Sequence, residues 1–286
     1  MKLIKQILIG VVIGIANIIP GVSGGTMAVS MGVYDKLIHA ITHLIKEFKK
    51  SMKFLLPIGV GLIVALIGLA KLIEISLTQY PIPTNLFFIG LIVGGLPAVI
   101  KRLKDTKKKV NMGNWLAGII FFAIVVGFAL LGQSQAADSS VAFNFINVVK
   151  LFFVGMIASA TMVIPGVSGS MVLMLMGYYE NILESISKFV DGAIALDINA
   201  MLESAGVLIP FGIGVLAGVA IIAKVVEVMF RKYPNYAYCS IIGLIVASPI
   251  AIVLMSSVTS IEIVPAVIGV FTLAVGYIIA IKLGEK

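Results

Sequence analysis

Two copies of one glycine-rich motif interrupt apolar sequence, "IPGVSGGT" at residues 19–26 and "IPGVSGS" at residues 164–170. Proline and glycine are poor residues for the interior of a membrane-spanning helix, because proline removes a backbone hydrogen bond and glycine weakens the helix. Each motif is nevertheless flanked on both sides by apolar runs. These two breaks therefore decide how the chain can fold.

The composition identifies the class of protein. Of the 286 residues, 60% are hydrophobic and 12% are charged, and the mean hydropathy is +1.15. Roughly half of a soluble domain is apolar, so a soluble core could not hide this much apolar surface. Runs of about 20 apolar residues, the length that crosses a bilayer, predict an all-α polytopic membrane protein. A β-barrel is disfavoured because its strands would alternate apolar and polar residues.

Charge and cysteine content exclude several function classes. The single cysteine, Cys239, permits no internal disulfide and no multi-cysteine metal site. The net charge of +8 comes from Lys and Arg in short loops, which indicates membrane orientation rather than nucleic-acid binding. We expect no cofactor and no metal. The N-terminus resembles a secretory signal, but its motif recurs in mid-chain, so we expect residues 1–30 to belong to the fold.

The chain repeats itself. At a shift of 145, residues 20–24 (PGVSG) fall on residues 165–169 (PGVSG). At a shift of 153, "IGLIV" at 89–93 falls on an identical "IGLIV" at 242–246. Apolar runs alone coincide by chance, but Pro, Gly, Lys, Glu and Tyr also match at these shifts. We therefore divide the chain into two homologous units, the first half (1–131) and the second half (146–286), and repeats of this size are typical of transporters.

The distribution of basic residues predicts the topology. Five stretches hold 17 of the 21 Lys and Arg residues, and cytoplasmic loops collect such residues. These stretches are 1–5, 36–53, 101–109, 231–232 and 282–286. Because the first two must share one side, the segment between them cannot cross once, and it must enter the membrane and return. Two half-helices of about 12 residues each would reach roughly 18 Å, near the bilayer midplane.

Each half therefore has one re-entrant hairpin and three spans. An odd number of spans places the halves in opposite orientations, which makes an inverted repeat with both termini in the cytoplasm. The first half is predicted to have a hairpin at 7–33 and spans at about 54–74, 84–100 and 112–131. The second half is predicted to have a hairpin at 147–179 and spans at about 205–230, 236–254 and 262–281.

The hairpin tips suit an anion. Broken backbone at membrane depth is tolerated where it is buried in protein or lines a polar cavity, and two matched breaks indicate a transporter's binding site. A helix that begins at each tip would point free N–H groups and a positive dipole end at the ligand. Tight packing by small residues is the alternative explanation. The candidate binding residues are Pro20, Gly21, Val22, Ser23, Gly24, Gly25, Thr26, Pro165, Gly166, Val167, Ser168, Gly169 and Ser170.

The two motifs in context, "NIIPGVSGGTMAVSMGVYDKLI" (17–38) and "IPGVSGSMVLMLMGYYENIL" (164–183), resemble the bacterial polyprenyl-phosphate transporter family, PopT, formerly domain of unknown function 368. The resemblance covers nearly the whole chain. It implies a flippase that recycles the cell-wall lipid carrier undecaprenyl phosphate across the cytoplasmic membrane. The lipid as substrate comes from this resemblance; the residues themselves indicate an anion site with two-fold symmetry.

Two matched Lys–Glu pairs lie near the ends of spans, Lys71 with Glu74 and Lys224 with Glu227. Residues at i and i+3 share a helix face, and ionisable groups at membrane depth are usually functional. Lys could attract the lipid phosphate, and Glu could carry a coupling proton or cation. The alternative is a self-neutralising pair that reaches the interface. Basic loops would also attract anionic lipids.

Two other functions remain open from the sequence. A small-anion or metabolite carrier could use the same hairpins. An intramembrane lipid phosphatase is less favoured, because the spans offer no Asp or His beside a nucleophile. The sequence does not determine the coupling ion, the direction of transport or the oligomeric state. A homo-oligomer is compatible with it.

The topology can be tested by cysteine labelling in a variant that lacks Cys239. Cysteines introduced at Leu3 and Ile45 should both react from the cytoplasmic side, and cysteines at Ala137 and Val190 should both react from outside. A membrane-impermeant maleimide applied to right-side-out and inverted vesicles distinguishes the two sides. Labelling of residues 3 and 45 from opposite sides would exclude the first re-entrant hairpin and with it the inverted repeat.

Overall fold

The computed structural model describes residues 3–19, 22–131, 145–256, 258 and 262–284, apart from the side chains of residues 18, 70 and 74. Within those ranges the chain is helical and has no strand, which confirms the predicted all-α class. The helices are α1 (Leu3–Ile18), α2 (Gly24–Ser30), α3 (Tyr34–Thr42), α4 (Phe48–Val64), α5 (Ala70–Gln79), α6 (Pro81–Asp105), α7 (Met112–Leu131), α8 (Phe145–Val163), α9 (Gly169–Leu175), α10 (Tyr179–Ala195), α11 (Ile198–Lys232), α12 (Pro234–Met255) and α13 (Ile263–Gly284).

Seven helical segments in the described ranges are long and apolar enough to cross a membrane, which confirms a multi-pass membrane protein. Six of them contain most or all of the six predicted spans. The seventh is α8, the first arm of the second predicted hairpin, whose 19 residues match a span by length and composition. The re-entrant path of this segment therefore stays a prediction.

Helix lengths in the two hairpin segments differ from the expected 12 residues per arm. In the first segment α1 has 16 residues and α2 has 7, and in the second α8 has 19 and α9 has 7. The short helices end early because a glycine follows each in the left-handed region, Gly32 at φ +67 and Gly177 at φ +75. Glycine reaches this region without steric cost, and the two glycines occupy matched positions at the shift of 145.

The first predicted span is interrupted where its partner in the second half is continuous. Between α4 and α5 the backbone forms a π-helical turn, Ala65–Leu69. Single π turns inside α-helices occur frequently at functional sites. The matched region of the second half lies inside α11, a continuous helix of 35 residues. The two halves therefore share a plan but differ in the helix that carries the Lys–Glu pair.

The two helices that contain "IGLIV", α6 and α12, form the centre of the molecule. The buried share of their most apolar stretch is 44% and 56%, against 11% to 28% for the other candidate spans. They pack on each other, and each also packs on the last helix of the opposite half, α6 on α13 and α12 on α7. This exchange of partners between the halves is the arrangement expected of two units related by a pseudo-two-fold axis.

Glycines allow the first arm of each hairpin segment to pack closely on the following long helix. A Cβ added to any of four glycines would overlap a carbonyl oxygen of the facing helix. The overlaps are Gly10 with Ile58, Gly61 with Ile7, Gly155 with Phe211 and Gly214 with Phe152. Small residues at such contacts are typical of helix packing in membranes. All four glycines match between the halves at the shifts found in the sequence.

This packing predicts that Gly61→Ala and Gly214→Ala destabilise the protein. The added methyl group must push two backbones apart, and overpacking of this kind costs about 1–3 kcal/mol. Gly59 and Gly212 are the matched controls, because a Cβ added to either meets no atom within 4 Å. Thermal unfolding in detergent should show lower midpoints for the first pair and equal or higher midpoints for the controls. Equal shifts in all four variants would contradict the close approach.

Candidate functional site

The structure brings the two glycine-rich tips into contact. The backbone N–H of Gly166 donates to the Thr26 hydroxyl at 2.6 Å, across 140 residues of sequence. A Cβ added to Gly25 would lie 3.1 Å from the carbonyl oxygen of Val163 and 3.3 Å from the Cα of Pro165. The two motifs that the sequence singled out therefore lie together, as one candidate site, at the junction of the two halves.

The first tip is buried. Val22, Ser23 and Thr26 are 1%, 3% and 0% exposed. The Ser23 hydroxyl is the N-cap of α2 and accepts from the Gly25 N–H at 3.2 Å, so it satisfies one of the free N–H groups of the helix start. The Asn17 amide packs against Gly24. The remaining two predicted residues, Pro20 and Gly21, lie outside the described residues.

The second tip is partly open. Pro165, Gly166, Val167 and Gly169 are buried, whereas Ser168 and Ser170 retain intermediate exposure. Their two hydroxyls hydrogen-bond each other at 2.8 Å. Ser168 is the N-cap residue of α9 but makes no capping bond with its side chain. The second tip therefore presents two partly exposed hydroxyls beside the start of α9. The hydroxyls of the first tip, Ser23 and Thr26, are buried.

Tyr34 supports the second tip from the other half. Its side chain is 3% exposed, and its hydroxyl donates to the carbonyl of Val163 at 3.0 Å. Val163 is the last residue of α8, so the break that follows it removes the usual helical partner of this carbonyl. A phenol from the first half thus satisfies a backbone group that the second break leaves free.

The guanidinium group of Arg102 contacts the turn that follows α2. Arg102 near the end of α6 forms an ion pair with Asp35 and donates to the carbonyl of Gly32 at 3.0 Å. The matched position in the second half, Met255, has no charge to form such a pair with Glu180. The ion pair and the bond to the Gly32 carbonyl are therefore specific to the first half.

One of the two predicted Lys–Glu pairs is an ion pair in the structure. Lys224 Nζ lies 2.6 Å from Glu227 Oε2, and His43 Nδ1 lies 3.6 Å from Glu227 Oε1. The pair therefore belongs to the junction between α11 and the end of α3, and none of its described polar contacts reaches either tip. Lys71 is exposed, and the side chain of Glu74 lies outside what the structure describes.

An apolar pocket of about 170 Å³ adjoins the second tip. Pro165 forms part of its wall, and most of the rest comes from α11 and α12, including Val225 and Leu244. Leu244 also packs against the Gly166 turn, since a Cβ added there would lie 3.2 Å from the Leu244 Cβ. The site thus combines a polar tip with an adjacent apolar space.

Three residues at the site were not among the sequence candidates: Tyr34, Arg102 and Ser240, which lines the pocket. Tyr34 did carry a signal, because it matches Tyr179 at the shift of 145. Ser240 carried one too, as a polar residue at the position that Phe87 occupies in the first half. Arg102 carried none, since it lies in a basic stretch that orientation alone explains.

Comparison with known proteins gives consistent similarities. A family model described as VCA0040-like, undecaprenyl phosphate translocase-like, matches residues 13–266. A polyprenyl-phosphate transporter of Staphylococcus aureus is 31% identical over 251 residues, covering 86% of this chain and 85% of that protein. A polyprenyl-phosphate transporter of Vibrio cholerae is 29% identical over 263 residues, covering 87% and 77%. No solved structure matches the chain.

The bond between the tips predicts that Thr26→Val destabilises the protein. Valine nearly preserves the shape of threonine but leaves the buried Gly166 N–H without an acceptor, which costs about 1–3 kcal/mol. Thr26→Ser is the control, because it removes only the methyl group and keeps the acceptor. Chemical or thermal unfolding in detergent should rank the wild type first, Thr26→Ser next and Thr26→Val last. Thr26→Val as stable as the wild type would show that the bond contributes nothing.

Proposed function

Because the chain belongs to the VCA0040-like, undecaprenyl phosphate translocase-like family, we propose that it carries polyprenyl phosphate across the bacterial cytoplasmic membrane. The observation that carries this proposal is the contact between the two tips, Gly166 N–H to Thr26. A single site built from both halves is what a carrier needs, because it must be reachable from each side in turn. Both relatives are named polyprenyl-phosphate transporters, which supports the lipid as substrate.

The phosphate would bind at the tips. N–H groups at a helix start and hydroxyl donors stabilise an anion, since they point partial positive charge at it. Ser168 and Ser170 are the accessible donors in this structure, while Ser23 and Thr26 are buried. We assign the phosphate to the second tip in this state, with the first tip as its support.

An inverted repeat would explain how the site changes sides. The exchange of partners between the central helices and the last helices of the opposite halves supports a pseudo-two-fold relation. In such a carrier the halves exchange conformations, so the tip that is buried on one side becomes the open tip on the other. The difference in exposure between Ser23 and Ser168 is the asymmetry that this exchange requires.

The Lys–Glu pairs are assigned to coupling or to the approach of the lipid. Lys224 is 58% exposed in its side chain, and Glu227 is 20% exposed. The ammonium group can therefore meet a lipid phosphate, while the carboxylate sits deeper, against His43. A small-anion carrier would need the tips alone, and the apolar pocket beside the second tip favours the lipid.

Replacement of Ser168 by Ala should weaken binding of undecaprenyl phosphate by about 10-fold to 100-fold. The reason is the loss of one charge-assisted hydrogen bond, worth about 1.5–3 kcal/mol. Binding of neutral undecaprenol should be unchanged. Ser185→Ala is the control, because the Ser185 hydroxyl bonds only the backbone of its own helix among its described contacts. Equal loss of both lipids would assign the tip to packing, and failure of the wild type to bind the phosphate would refute the proposed substrate.

Replacement of Glu227 by Gln should leave lipid binding intact but change how transport depends on pH. The carboxylate that would take up a coupling proton is gone, while the shape of the side chain is kept. Glu184→Gln is the matched control, since Glu184 forms an exposed pair with Lys188 at 2.8 Å on α10. Transport in proteoliposomes should be measured between pH 5 and 9 in the two variants. Superimposable pH profiles for the wild type and Glu227→Gln would remove this residue from coupling.

A further inference from the structure

The pocket beside the second tip holds a polar group that the protein leaves unused. Ser240 lines the pocket and is 5% exposed, and within the described part of the chain its hydroxyl has no hydrogen-bond partner. Ser248, two turns further along α12, donates to the carbonyl of Leu244 at 2.9 Å. The Ser240 hydroxyl could donate to a carbonyl of its own helix in the same way, but it does not. A buried hydroxyl without a partner is costly, so such a group calls for an explanation.

The first half has aromatic residues at the positions that match Ser240 and Ile241. At the shift of 153, Ser240 matches Phe87 and Ile241 matches Phe88. Phe88 is 3% exposed, and the two rings lie edge to face at 5.2 Å between centroids. Two residues that line the pocket, Ser240 and Ile241, therefore differ in kind from their matches in the first half.

The size and the opening of the pocket limit what can enter. A cavity of 150 Å³ holds a molecule of the size of benzene, so about 170 Å³ accommodates a group of five or six carbons. Val225 stands in the wall of the pocket and is 47% exposed, on a helix whose surface is mostly apolar and outward-facing. A chain that enters here can continue past Val225 into the bilayer.

Resting on the proposed function, we propose that this pocket binds the isoprene unit next to the phosphate, and that the Ser240 hydroxyl, which is buried in the pocket wall, rotates to donate to the oxygen that links this unit to phosphorus. The walls are apolar, as an isoprene unit requires. Pro165 belongs to both the pocket and the tip, so the phosphate and the first isoprene unit would occupy adjoining spaces. In this proposal most of the residues that contact the phosphate and the first isoprene unit belong to the second half.

The test is to close the mouth of the pocket from the lipid side. Val225→Phe adds bulk at a residue that is 47% exposed, so the core is spared. Its matched control is Leu72→Phe, because Leu72 occupies the same position in the first half and is 57% exposed. Farnesyl phosphate, which carries three isoprene units, serves as the probe for the purified full chain in detergent. We expect Val225→Phe to weaken its binding at least 10-fold and Leu72→Phe to change it less than two-fold.

A second variant tests the hydroxyl. Ser240→Ala keeps the pocket open and removes the donor, so binding of farnesyl phosphate should fall about 10-fold, as expected for one hydrogen bond. Unchanged binding in both Val225→Phe and Ser240→Ala, or equal losses in Val225→Phe and Leu72→Phe, would overturn the pocket proposal. If Ser168→Ala still weakens binding in that case, the proposed function stands without the pocket. A wild type that binds neither farnesyl nor undecaprenyl phosphate would overturn both.

Discussion

A backbone that breaks inside a membrane must find hydrogen-bond partners within the protein, because hydrocarbon offers none. At the second motif, two of these partners come from the first half. The carbonyl that ends α8 accepts from Tyr34, and the N–H of Gly166 donates to Thr26. The second motif in isolation would not supply these groups. These bonds join the second motif to the first half, and they lie at the place where we put the phosphate.

The rest of the architecture serves this junction. The central helices α6 and α12 hold the tips from both sides: Ser30 of α2 packs against Gly95, and Leu244 packs against the Gly166 turn. Matched glycines then allow the long helices to pack at backbone distance. The two halves differ in the π-helical turn, in Arg102 and in the pocket around Ser240.

Much of this arrangement is encoded in features that sequence can display. Proline and glycine mark the breaks, and the shift of 145 aligns Gly32 with Gly177, the glycines that follow the short helices in the structure. The unequal arms could not be predicted, because hydropathy does not locate a helix start that a single cap such as Ser23 determines. The Arg102 contact was also hidden, since an ion pair across 67 residues leaves no local pattern. Ser240 is polar where its match Phe87 is aromatic, but only the structure shows that it lines a pocket.

The bond from Gly166 to Thr26 also bears on how an empty carrier behaves. One N–H cannot donate fully to two acceptors, so an anion that takes the Gly166 N–H must displace the threonine hydroxyl. In the absence of such an anion the bond ties one half of the molecule to the other. The Gly166 N–H would then bind either the anion or the Thr26 hydroxyl, but not both. An anion bound at the Gly166 N–H would therefore release the hydrogen bond that joins the two halves.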